Sequence, residues 1–153
     1  MQKIDNKLFP FYRFENLAAF GEIVHFVSSG EKNIVFAEGT DDGMIRGNRM
    51  DLGKAGGFEV SRMVCARQIH SDHITVVKAE DGGKGALDKE SRLPDTDGMI
   101  TDAPGVCLLV LSADCVPVLL YDPVKRVIGA VHAGWRGTVA GIAGKAVAGM
   151  QEN

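Results

Sequence analysis

Four apolar runs crowd into residues 98–132, and no other stretch narrows the possible folds as much. Gly98–Thr101, Val106–Leu111, Val116–Tyr121 and Val127–His132 are rich in Val, Leu and Ile and have the length of strands. Their nearly continuous apolar texture predicts strands buried on both faces. Asp122-Pro123 marks a turn between the last two. After Gly134-Trp135-Arg136-Gly137 the period changes. Val139, Ile142, Ala143, Ala146, Val147 and Met150 recur at helical spacing, which predicts a helix from near Thr138. That helix runs into Gln151-Glu152-Asn153 with no glycine stop, and the expectation is a chain cut short at its C-terminal side.

Upstream the signals are shorter. Phe11–Phe14, Glu22–Val27 and Asn33–Ala37 are candidate strands. Asp41 and Asp42 are N-cap residues for a short helix carrying Met44, Ile45 and Leu52, weakened by Gly47 and ended by Gly53, Gly56 and Gly57. Met63–Ala66 and Ile74–Ala79 are further strands, and Glu80–Pro94 has the charge and glycine content of an exposed loop.

The chain's 153 residues suit a single domain with its own core. Seventeen Lys and Arg against 20 Asp and Glu leave a net charge of -3, without the basic excess of a general nucleic-acid binder. The apolar runs are too short to span a bilayer, and the polar Met1–Asn6 lacks a signal-peptide core. Three cysteines, at 65, 107 and 115, argue against a disulfide framework and for a reducing compartment, with the cytoplasm as the expected address.

The residues able to carry chemistry sit at strand ends, where a rigid scaffold holds them. His70, Cys115 and His132 would give a thiolate and two imidazoles, a zinc set with one position open. Spacing alone leaves this weak, because gaps of 45 and 17 residues match no local zinc motif. His73 competes with His70, and Cys107 with Cys115, although Cys107 and Cys65 lie in apolar runs that suit core packing. The turn Gly134–Gly137 joins a strand to a helix start, a place suited to an anion, and Arg136 adds a guanidinium fork. It is no Walker loop, since Trp-Arg stands where Lys-Ser/Thr is required. Asp95, Asp97 and Asp114 could act as general bases or orient a histidine, or serve only as turn residues.

Taken in order, Arg67-Gln68-Ile69-His70, Asp97-Gly98-Met99-Ile100-Thr101, Ser112-Ala113-Asp114-Cys115-Val116-Pro117-Val118 and His132-Ala133-Gly134-Trp135-Arg136-Gly137 form a set. This set resembles the YfiH-type laccase-domain family, also called polyphenol-oxidase-like proteins and associated with purine nucleoside phosphorylase activity. The resemblance covers roughly residues 60–150 well. It implies one α+β domain over 1–153 with a mixed sheet in an α/β/β/α sandwich, lacking a C-terminal part that the longer members carry. It implies zinc, one per chain, on His70, Cys115 and His132. It implies catalysis by Cys115, Asp114 and His132, with Arg136, Asn48, Arg49 and Gln68 on the substrate or anion. The implied partners are phosphate and a purine nucleoside, namely adenosine, inosine, guanosine or methylthioadenosine. Deamination of adenosine is a further implied activity.

Three rivals use the same residues. Cys115 could be a hydrolase nucleophile activated by His132 or His70. Two His and a Cys also make a copper set, but four histidines are too few for a multicopper oxidase, so copper ranks below zinc. Finally, the chain could be a non-enzymatic zinc-binding module.

Overall fold

The structure is a computed structural model that describes residues 1–153. The chain forms two compact units, Met1–Val60 and Ser61–Asn153. No helix is long and apolar enough to cross a membrane.

In the first unit, β1 (Gln2–Ile4), β2 (Phe11–Arg13) and β3 (Val27–Ser28) form a small antiparallel sheet in the order β1-β2-β3. A single helical turn, α1 (Glu15–Ala18), follows β2. The strand expected over Glu22–Val27 is reduced to β3, and Asn33–Ala37 joins no ladder. There the hydrogen-bond partners come from a helix instead. Asn48 donates to the Asn33 carbonyl at 2.8 Å, and Arg49 Nε donates to the Ile34 carbonyl at 2.8 Å.

That helix, α2 (Asp42–Gly56), is longer than its glycines suggest. Asp41 caps it by accepting from the amides of Gly43 and Met44 at 2.8 and 3.2 Å. Gly57 closes it in the left-handed conformation at φ 75°. Ile45, Arg49, Leu52, Gly53 and Gly56 form its buried stripe. Gly53 and Gly56 are therefore packing residues rather than terminators. A Cβ on either would meet Val60 Cγ2 or Phe26 Cε1 at 2.5 Å.

The second unit is built on two sheets. A four-stranded mixed sheet runs β5 (Ile74–Val76), β6 (Gly98–Thr101), β9 (Val127–Ala133), β8 (Val116–Asp122). β5 pairs parallel with β6, and the other contacts are antiparallel. A parallel pair, β4 (Met63–Cys65) with β7 (Cys107–Leu109), forms the second sheet. The chain closes on α3 (Trp135–Val139) and α4 (Ile142–Glu152).

β6 lies between two cores. Met99 packs with Val64, Ala66, Val77, Leu93 and Val106, on the β4–β7 side. Ile100 packs with Val127, Val131, Ile142, Ala146 and Met150, on the α4 side. Alternation along a strand sends these neighbours to opposite faces. The result is a helix, a mixed sheet and a second sheet in layers, the α+β class that the resemblance implies.

Burial on both faces holds for β6 and for most of β9, but not for β7 and β8, which are half-buried. β8 is an edge strand, and its Pro117 is a residue that edges tolerate. Asp122 makes the expected turn, accepting from the amides of Val124 and Lys125 at 2.8 and 3.0 Å.

Two further expectations are corrected. Helix begins at Trp135, not Thr138, and is broken by Gly141 at φ 79°. Ile142, Ala146 and Met150 are buried, whereas Val139 and Val147 are exposed. Glu80–Pro94 is also not exposed throughout. Its Lys84 and Leu93 bond the Cys65 main chain at 2.8 and 3.1 Å, which satisfies the free edge of β4, and Ala86 and Leu93 are buried.

Candidate metal centre

The site is assembled by strand register. Val116 of β8 pairs with Ala133 of β9, so Cys115 faces the Gly134 end of the same ladder, two residues beyond His132. His70 arrives on the connection between β4 and β5. One donor atom from each of His70, Cys115 and His132 lies within 4.8 Å of the others. The His70 and His132 rings meet edge to face with centroids 4.8 Å apart. His132 is buried, Cys115 half-buried and His70 exposed, so the cluster opens to solvent on one side.

The loop that presents His70 is held by one carboxylate. Asp97, the residue before β6, is 1% exposed. Its Oδ2 accepts from the Ile69 and Ser71 amides at 3.1 and 2.8 Å and from Ser71 Oγ at 2.7 Å. Its Oδ1 accepts from the His70 amide at 3.0 Å and lies 2.9 Å from His132 Nδ1. Burial alone would raise this carboxyl, but the hydrogen bonds from His132, Ser71 and Ile69 outweigh it and hold it below its usual value. An ionised carboxylate only accepts, so the proton of neutral His132 sits on Nδ1 and the lone pair on Nε2.

Glycine at 134 completes the cradle. A Cβ there would lie 3.0 Å from His70 Cδ2, 3.5 Å from Cys115 Sγ and 3.6 Å from His132 Cε1. Gly137 is similarly constrained, since a Cβ would meet the Ser71 carbonyl at 2.5 Å. The glycines of this turn admit the ligand loops to close range.

These residues fit a metal. Ligand atoms around a four-coordinate zinc stand about 3.5 Å apart, and the donor trio within 4.8 Å is close to that. The set is soft sulfur plus two imidazoles, and the lone pair of His132 is already directed away from Asp97. A four-coordinate ion held by these three donors would keep one position open.

His73 turns away, its Nδ1 2.8 Å from the Asp95 carbonyl. Burial and the adjacent Cys65 push the Cys107 thiol up to about 12. Gln68 clasps the Leu111 main chain, donating to its carbonyl at 2.8 Å and accepting from its amide at 2.7 Å. Asp114 is exposed in the turn before Cys115. Arg136 is exposed on α3, its guanidinium 5.2 Å from the Trp135 ring centre. Asn48 and Arg49 bond the main chain within the first unit, and Arg49 is 1% exposed with its guanidinium 4.5 Å from the Phe36 ring centre. Asp97 appears in the sequence only as one of several acidic residues open to an orienting role. Its preference for a metal-site role was hidden because its donors lie 26–35 residues away.

The model of the family described as multi-copper polyphenol oxidoreductase laccase matches residues 26–153. The chain belongs to that family. Among its laccase-like relatives, purine nucleoside phosphorylase YlmD of Geobacillus stearothermophilus is 41% identical over 109 residues, covering 71% of this chain and 40% of that protein. The crystal structure of that YlmD superposes with a TM-score of 0.71 at 40% identity, over 74% of this chain and 42% of the other. Purine nucleoside phosphorylase ORF3 of Streptomyces griseus is 40% identical over 121 residues, 79% of this chain and 47% of that one. The hypothetical protein YfiH of Bacillus licheniformis superposes with a TM-score of 0.72 at 31% identity, over 90% of this chain and 48% of the other. The chain spans about half the length, or less, of the curated relatives it matches.

Proposed function

We propose that the chain carries the zinc centre of a purine nucleoside phosphorylase. The observation that carries this reading is the convergence of His70, Cys115 and His132, backed by relatives that bear that name. When bound there, zinc supplies Lewis acidity on the open side of the site.

The chain's own residues have separate tasks. His132 and His70 offer imidazole nitrogens, and Cys115 offers sulfur. Arg136, exposed on α3 after the Gly134 turn, holds phosphate through its planar fork. A phosphate oxygen forms a bond to C1′ of the ribose as the bond from C1′ to the purine nitrogen breaks, and the leaving base takes up a proton. Asp114, exposed beside Cys115, is the carboxyl assigned to that proton transfer. Adenosine, inosine, guanosine and methylthioadenosine share the reacting bond and form the substrate class. Hydrolytic deamination of adenosine at the same centre is the second activity to test. A reducing cytoplasm suits a site that depends on a free thiol.

The test is metal analysis of protein purified without a chelating tag, beside a Cys115→Ala variant. About one zinc per chain, lost in the variant, is the expected result, with adenine released from adenosine and phosphate. Inosine instead of adenine would identify the deaminase. Stoichiometric copper with oxygen uptake would overturn the reading in favour of an oxidase. Absence of metal together with a Cys115 rapidly blocked by iodoacetamide would favour a cysteine hydrolase. Zinc without turnover of any nucleoside would leave a non-enzymatic module.

A further inference from the structure

We propose that Asp97 is the positioning residue of this centre, setting through one carboxylate both the tautomer of His132 and the backbone conformation of His70. The inference rests on the metal reading of the trio only for its consequence, and its core can be tested without metal.

Two observations carry it. His70 sits at φ 61°, in the left-handed region that a non-glycine residue rarely occupies. Such a conformation persists only where its surroundings over-determine it. Here the amides of Ile69, His70 and Ser71 all converge on Asp97, and Ser71 Oγ joins them. The same Oδ1 that accepts from the His70 amide also meets His132 Nδ1. The two histidines come from different elements, yet one side chain fixes both. Asp97 is itself anchored by its main chain. Its amide donates to the His73 carbonyl at 3.1 Å, and its carbonyl accepts from the His132 amide at 2.7 Å. The carboxylate therefore has little freedom to move away from either histidine.

Asp97→Asn tests this with a direction that the geometry supplies. The new amide must place its NH2 on one side. On the Oδ2 side it would oppose two fixed amide donors, Ile69 and Ser71. On the Oδ1 side it opposes one, that of His70, because His132 can answer by moving its own proton. The second arrangement costs less. It leaves Nδ1 of His132 as acceptor and puts the proton on Nε2, where a metal needs a lone pair.

The experiment has two readouts. Long-range nitrogen–proton spectra of the metal-free chain report the His132 tautomer. Zinc competition against a chromophoric chelator reports affinity. The expected result is Nδ1–H in the wild type, Nε2–H in Asp97→Asn, and zinc binding weakened roughly 10–100-fold. Ser71→Ala, which removes the hydroxyl bond to Oδ2 and the acceptor of the His73 amide but leaves both Oδ1 bonds in place, keeps the wild-type tautomer and loses less affinity. Nε2–H in the wild type overturns the proposal, even if Asp97→Asn does not fold. So does an Asp97→Asn chain that keeps Nδ1–H and binds zinc within about twofold of wild type. If the wild type binds no zinc, the metal reading falls alone, and a tautomer change in Asp97→Asn still upholds the positioning role.

Discussion

The two sides of the metal centre are held very differently. On the histidine side, a buried carboxylate ties His70 and His132 together through four N–H groups and a hydroxyl. On the cysteine side, Cys115 stands in an exposed turn, and Ser112 Oγ donates to its carbonyl. The histidines are preorganised by the core. The cysteine is positioned mainly by the start of an edge strand. The difference teaches that scaffold and ligand can be separated here: loss of Asp97 should damage the fold, whereas loss of Cys115 should damage only binding.

The largest effect that would break this comparison is on stability. Asp97→Ala leaves His132 and three loop amides without their acceptor. It is expected to cost roughly 2–5 kcal/mol in urea unfolding. Cys115→Ala should change the metal-free chain by less than about 0.5 kcal/mol. Equal losses in the two variants would erase the distinction. Next is Gly134→Val, whose side chain would crowd both sides of the site at once. Zinc affinity should fall at least about tenfold while the far-ultraviolet circular dichroism is retained. An unchanged affinity would mean the turn has room that the packing does not show.

A smaller effect concerns thiol reactivity. At pH 8 the Cys107 thiol, pushed up to about 12, stays protonated, because burial disfavours the thiolate until the pH nears that value. Iodoacetamide should therefore label Cys115 first and leave Cys107 untouched, with zinc protecting Cys115. Peptide mass mapping checks the order. The smallest effect is that of Ser112→Ala. Removing one exposed hydroxyl bond should cost about 0.5–1 kcal/mol at most and weaken zinc only a few-fold. A large loss would show that the cysteine side is as firmly built as the histidine side.

Much of the second unit is legible in its sequence. The runs that became β6, β8 and β9 are apolar enough to show themselves, and Asp122-Pro123 marks its own turn. The trio emerges only when the motifs are taken together, since nothing local links residues so far apart in the chain. Other features stay hidden because they depend on neighbours. Gly53 and Gly56 look like helix breakers until Val60 and Phe26 are seen against them. Asn33–Ala37 has strand composition, but α2 side chains take the place of a partner strand. The continuous stripe after Gly137 conceals the break at Gly141, because periodicity records which residues are apolar and not where the backbone turns left-handed.

The two ladders around β9 also govern where this chain can gain or lose residues. Gly98 pairs with Val131, and Val116 with Ala133. A slip of two positions in either ladder would displace a donor by about 7 Å, and a slip of one would turn it to the opposite face. Insertions in the turn after Asp122 leave both pairings intact and should be neutral for metal. A single deletion inside β8 or β9 should abolish binding even if the sheet still forms. The β8–β9 hairpin thus works as a vernier, converting strand alignment into the spacing of the Cys115 and His132 donor atoms.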